Sequence, residues 1–105
     1  MINIDKIIKE FKAKIEFLYK DKFKEIILYG SWARGEATKD SDIDLVVVLK
    51  GEVNPVKELN KMIDIITNLN LKYNILLSIY PISEDNYANI NSPLLINVRK
   101  EGLSA

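Results

Sequence analysis

The chain has 105 residues and contains neither cysteine nor histidine. Without thiols there are no disulfides, no thiolate metal sites and no cysteine nucleophile. Without imidazole there is no histidine-dependent triad, no histidine zinc ligand and no ordinary neutral-pH general base. Acid–base and metal chemistry must therefore come from carboxylates. An excess of charge is missing too, since 15 Lys and Arg balance 15 Asp and Glu. Nonspecific nucleic-acid binding draws on phosphate contacts with a basic surface, so this balance argues against a stand-alone DNA or RNA binder. The run Met1-Ile2-Asn3-Ile4-Asp5 lacks the apolar stretch expected of a signal peptide, and no stretch is apolar for long enough to span a membrane. The expected home is the cytoplasm.

What remains is an ordinary composition, 48% hydrophobic and 29% charged, which reads as one soluble globular domain over residues 1–105. A domain this short buries a modest fraction of its surface, so a partner subunit would add useful burial. Apolar residues at Ile4, Ile7, Ile8, Phe11, Ile15 and Leu18 predict a first helix to about Tyr19. The branched run Glu25–Tyr29 predicts a strand that Gly30 stops, and Ser31–Arg34 predicts one helical turn. A polar loop, Glu36–Ser41, leads to the strongest strand, Asp42–Leu49. Asn54-Pro55 caps a helix whose expected apolar face is Val56, Leu59, Ile63 and Ile66. Tyr73–Ile82 predicts a third strand. Ser92-Pro93 opens a last helix through Leu95 and Val98, ended by Gly102.

Chemistry concentrates between Gly30 and Leu45. Gly30 lets a phosphate approach the backbone, and the amides after it open a helical turn. The Ser31 hydroxyl adds a donor or a metal-side contact. Asp42 and Asp44 stand two apart on a strand, so their carboxylates share a face, roughly 6.5–7 Å apart along the backbone. Oxygen-only ligation of that kind suits magnesium with substrate phosphates completing its shell. Arg34 can fork onto phosphate oxygens, while Gly35 turns the chain back toward the acidic strand. Each residue also has a plainer role: Ser31 as a helix cap, Arg34 in a surface pair with Glu36 or Asp40, Trp32 as a packing or partner contact.

Together, Gly30-Ser31-Trp32-Ala33-Arg34-Gly35 and Ser41-Asp42-Ile43-Asp44-Leu45 resemble the signature of the minimal nucleotidyltransferases. Those small proteins are similar to the catalytic palm of polymerase β and to kanamycin nucleotidyltransferase. The resemblance implies an α/β (α+β) fold with a mixed three-stranded sheet, helices on one face and the acidic site on the other. It further implies that Asp42 and Asp44 are catalytic and carry Mg2+, and that Gly30, Ser31 and Arg34 hold ATP or another nucleoside triphosphate. The implied reaction moves a nucleoside monophosphate, AMP from ATP, to a hydroxyl of a partner protein or small molecule. Such domains commonly accompany a small helical toxin of the HEPN type. That suggests the alternative of a weakly active or inactive nucleotide-binding antitoxin, and a homo-oligomer is a further expectation. A relic site on a domain that only dimerises is the plainest reading.

The sequence departs from the pattern in one respect. Active relatives bring a third carboxylate from the next strand, but alternation there places Asn74, Leu76, Ser78 and Tyr80 toward the site, none of them acidic. Glu84 or Asp85 could enter only from the following loop. Val46 and Val48 share the aspartate face yet are apolar, so a cover is expected, either the N-terminal helix or a second subunit.

Overall fold

A computed structural model describes residues 3–105. The elements are α1 (Ile4–Tyr19), a 3-10 turn (Lys20–Lys22), β1 (Phe23–Tyr29), α2 (Ser31–Arg34), β2 (Ile43–Leu49), α3 (Pro55–Tyr73), β3 (Leu77–Ser83), α4 (Glu84–Asn89), α5 (Pro93–Glu101) and β4 (Leu103–Ser104). The strands form one mixed sheet in the order β3-β2-β1-β4. β1 runs antiparallel to β2 and β4, and β2 runs parallel to β3. The sheet therefore has four strands rather than the expected three. The added strand is two residues long, too short to show any alternation, and it follows Gly102, where a Cβ would collide with Ile27 and the Val98 carbonyl.

β2 reads almost continuously apolar because both of its faces are covered. Ile43, Leu45, Val47 and Leu49 pack under α1 and α3, with Ile7, Phe11, Ile15, Met62 and Leu69. Val46 and Val48 face the other way, onto Leu95 and Val98 of α5 with Ile27 and Ile82. Helices thus lie on both faces of the sheet, not on one. The valines' cover is α5, neither the N-terminal helix nor a second subunit. Each such aliphatic side chain is worth about 1.5–3 kcal/mol when fully buried, so docking α5 stabilises the aspartate face of the sheet. The Ser92 hydroxyl caps α5 by accepting the Leu95 N–H at 3.2 Å. Arg99 pins the helix by donating to the carbonyls of Tyr87 and Ile90 at 2.7 and 2.8 Å.

Two sequence expectations shift. On α3 the inward face is Glu58, Met62, Ile66 and Leu69, whereas Val56 and Ile63 are 69% and 53% exposed. Of the expected face, Ile66 is buried and Leu59 packs against the core, while Val56 and Ile63 turn outward because apolar residues recur on both sides of this helix. The third strand begins at Leu77, not Tyr73. Helix α3 continues through Tyr73 and ends at Asn74, which takes the left-handed conformation at φ 51°. Asn70 then accepts the Leu77 N–H at 2.9 Å through its side chain, turning the chain into β3. Asn74 is therefore a helix cap and does not face the acidic site.

Candidate functional site

Gly30 ends β1 with φ +75° and ψ −155°, a backbone region essentially restricted to glycine. Space imposes the same choice, because a Cβ at Gly30 would collide with Oδ2 of Asp44 and sit 3.2 Å from its Cγ. The Gly30 carbonyl accepts the N–H groups of Ala33 and Arg34, each at 3.1 Å, which closes the first turn of α2. The amides of Ser31 and Trp32 come too early in the helix to find an intrahelical carbonyl, so they remain donors at the turn that Gly30 opens.

The loop from α2 to β2 is held locally. Gly35 adopts the left-handed conformation at φ 73° and ends α2. Ser41 Oγ accepts the Thr38 N–H at 2.9 Å, and the Ser41 N–H returns to the Thr38 carbonyl at 3.0 Å. The Trp32 indole donates to the Ser41 carbonyl at 3.3 Å while its ring packs against the larger core. Trp32 therefore ties the helical turn to the residue preceding Asp42, which is a packing role.

Asp42 is exposed, and Asp44 is half-buried on β2 between Tyr29 of β1 and Ser78 of β3. Burial raises the Asp44 pKa above its ordinary value and the charge of Asp42 raises it further, while the Ser78 hydroxyl and the Arg34 charge pull it down. Tyr29 is also raised, by burial first and then by Asp44 and Tyr80, so its phenol stays protonated as a donor. Arg34 pairs with Glu36 at 3.4 Å on the surface, yet its charge still acts on Asp44. The structure thus gathers Gly30, Ser31, Asp42 and Asp44 at one place, with Arg34 at its edge.

The donors suit one hard cation: Asp42 just before β2 and Asp44 on it, with the Ser78 hydroxyl opposite Asp44. A cation there would relieve the repulsion between Asp42 and Asp44. Among the described residues no cluster of three or more His, Cys, Asp and Glu side chains could hold a metal. Glu84 and Asp85 do not complete the set. They follow Ser83, which pairs with Leu49 at the far end of β2, five positions from the Asp44–Ser78 pair. That is about 16 Å along a strand. Glu84 there bonds Lys24 at 3.3 Å.

One feature of the site lay outside the sequence reading. A crevice of about 190 Å3 adjoins the Gly30 turn, lined by Tyr29, Gly30 and Arg34 and, from α5, by Leu94, Asn97, Val98 and Glu101. The i, i+3, i+7 spacing of Leu94, Asn97 and Glu101 marks a common helical face. Which turn that face meets is decided by how α5 lies across the sheet.

Residues 4–102 match the sequence model of the nucleotidyltransferase domain family. A Methanocaldococcus jannaschii protein named "Putative protein adenylyltransferase MJ0604" is 38% identical over 102 residues, covering 96% of each chain. A second from that organism, "Putative protein adenylyltransferase MJ0141", is 44% identical over 77 residues, 73% of this chain and 77% of its own length. In the fold comparison, a crystal structure described as a toxin-antitoxin with AMP-PNP superposes with a TM-score of 0.64 at 19% identity, covering 98% of this chain and 72% of that one. With its glycine-serine turn set against a paired-aspartate strand, and with nearly its whole length matched, this chain belongs to the nucleotidyltransferase domain family.

Proposed function

We propose that the protein binds a nucleoside triphosphate as its magnesium complex and transfers the nucleoside monophosphate, AMP from ATP, to a hydroxyl of a partner protein. The observation that carries this is the contact between the Gly30 backbone and the Asp44 carboxylate. On this reading the turn that would accept phosphate lies directly beside the carboxylates that would hold magnesium. Asp42 and Asp44 would hold magnesium, which neutralises charge developing on the phosphates and on the leaving group. The Gly30 turn, the Ser31 amide and hydroxyl, and the Arg34 guanidinium would orient the triphosphate chain. In the transfer, the acceptor oxygen bonds to the α-phosphorus as the bond to the bridging β-phosphate oxygen breaks. Pyrophosphate leaves with that electron pair, and the acceptor proton passes to water.

The names of the relatives support adenylyl transfer to protein, and the AMP-PNP complex supports an ATP-like ligand. The partner would be a small helical toxin of the HEPN type, met in the cytoplasm. Among the described residues no helix is long and apolar enough to cross a membrane. A second reading follows from Ser78: with only two carboxylates, turnover is slow and the protein acts as an antitoxin mainly by binding its partner. The same chemistry would serve the hydroxyl of a small-molecule acceptor.

The test is incubation of the protein and a co-purified partner with magnesium and ATP labelled at the α-phosphate. Transfer of label to the partner, lost in Asp42→Asn while the complex persists, is the expected result. Neutralisation of a toxin that survives Asp42→Asn without label transfer would favour the binding reading.

A further inference from the structure

The face of α5 that meets the Gly30 turn has no evident structural duty. Leu95 and Val98 of this helix carry its packing on the sheet, and Arg99 carries its polar anchoring. Leu94, Asn97 and Glu101 do neither. Leu94 is 43% exposed, and Asn97 and Glu101 are exposed polar groups on the same wall. All three converge on the crevice whose opposite wall is Tyr29, Gly30 and Arg34.

We propose that this crevice seats the base and ribose of the bound nucleotide, and that Asn97 and Glu101 set the preference for one base. The inference rests on the nucleotide reading given above and assigns its nucleoside end. The geometry supports it in three ways. The crevice begins at Gly30, where the phosphate chain would lie, so a nucleoside attached to that chain has the α5 wall within reach. Its volume of about 190 Å3 lies below the ~300–1,000 Å3 of drug-sized pockets, which suits a single nucleoside rather than a peptide chain. Its lining is also mixed in the required sense: Leu94 and the Tyr29 ring offer apolar contact, the Asn97 amide offers a donor and an acceptor to a base edge, and the Glu101 carboxylate accepts from ribose hydroxyls.

Binding of magnesium–ATP and of magnesium–tripolyphosphate is compared by calorimetry in the full chain, in Asn97→Leu and in Glu101→Gln. Both positions are exposed, so the variants should fold, and Leu94→Ala serves as a third, apolar probe. Wild type should bind ATP more tightly than tripolyphosphate. Each polar variant should lose about fivefold to tenfold in ATP affinity, the size of one hydrogen bond, with tripolyphosphate affinity unchanged. Asn97→Leu should also flatten the ranking among ATP, GTP, CTP and UTP. Equal affinity for ATP and tripolyphosphate in wild type, or variants that bind ATP as wild type does, would overturn the assignment while leaving the phosphate site intact. Failure of wild type to bind either ligand would instead overturn the nucleotide reading itself, and the assignment with it.

Discussion

The Asp44 carboxylate occupies the space where any side chain at position 30 would begin, so Gly30 and Asp44 form a single unit. The backbone of one and the side chain of the other share a contact that only glycine permits. That contact joins the turn after β1 directly to β2.

That relationship makes Gly30→Ala doubly costly. The methyl group must displace Asp44, and the backbone must hold φ +75° with ψ −155°. Strain of this kind is worth about 1–3 kcal/mol. Urea unfolding should show a loss of that size, and magnesium–ATP binding should disappear. Gly35→Ala also has positive φ but meets nothing within 4 Å, so it should retain nucleotide affinity despite some lost stability.

Asp44 gives a pH signature. Its folded pKa is raised above the ordinary 3.8, by burial first and by Asp42 second. The folded state therefore holds the proton more tightly than the unfolded chain does. The stability contributed is fully present below about pH 3.8 and is lost as pH rises through the raised folded value. Metal-free Asp44→Asn should accordingly melt no lower than wild type at pH 7. Its advantage should shrink as pH falls through the carboxylate range, and magnesium should stabilise wild type but not the variant. Thermal melts across pH, with and without magnesium, check both halves.

Ser78 stands beside Asp44 in the parallel register, where a third carboxylate would be useful. Ser78→Asp should tighten magnesium binding and raise the rate of AMP transfer. It should lower metal-free stability, because a third like charge joins a pair that already repels. Unchanged metal affinity would show that this β3 position does not reach the cation.

Away from the site, the Tyr19 hydroxyl donates to Glu58 Oε1 at 3.0 Å, with both residues buried. Burial and this hydrogen bond raise the tyrosine pKa far above its ordinary value. Tyr19→Phe leaves the carboxylate with Lys61 at 3.6 Å as its neighbour. It should cost about 1–3 kcal/mol in urea unfolding, with magnesium–ATP affinity unchanged.

The residues that end elements were the readable part of this sequence. Gly30, Gly35, the Asn54-Pro55 and Ser92-Pro93 pairs and the run Asp42–Leu49 each carry a local rule, and the structure places boundaries at or within one residue of them, β2 starting at Ile43. Errors arose where local rules tie. Val56 and Ile63 are as apolar as Met62 and Leu69, and only the position of the sheet decides which stripe turns inward. Tyr73–Leu76 has the branched and aromatic character of a strand, yet the Asn70 side chain and the left-handed Asn74 extend α3 through it. β4 and the α5 wall of the crevice were not legible at all. Both depend on the path of the last helix across the sheet, which is set by contacts distant in sequence such as Val46 with Leu95 and Val98.

The most direct test of a magnesium–nucleotide site at Gly30, Asp42 and Asp44 is thermal unfolding of wild type and Asp42→Asn, with and without magnesium plus ATP. At about a hundred times its dissociation constant the ligand should add roughly 2.7 kcal/mol, a shift of several degrees for a chain of this size. The expected result is a shift in wild type that requires magnesium and vanishes in Asp42→Asn. No shift in wild type, or one that persists undiminished in Asp42→Asn, would contradict it.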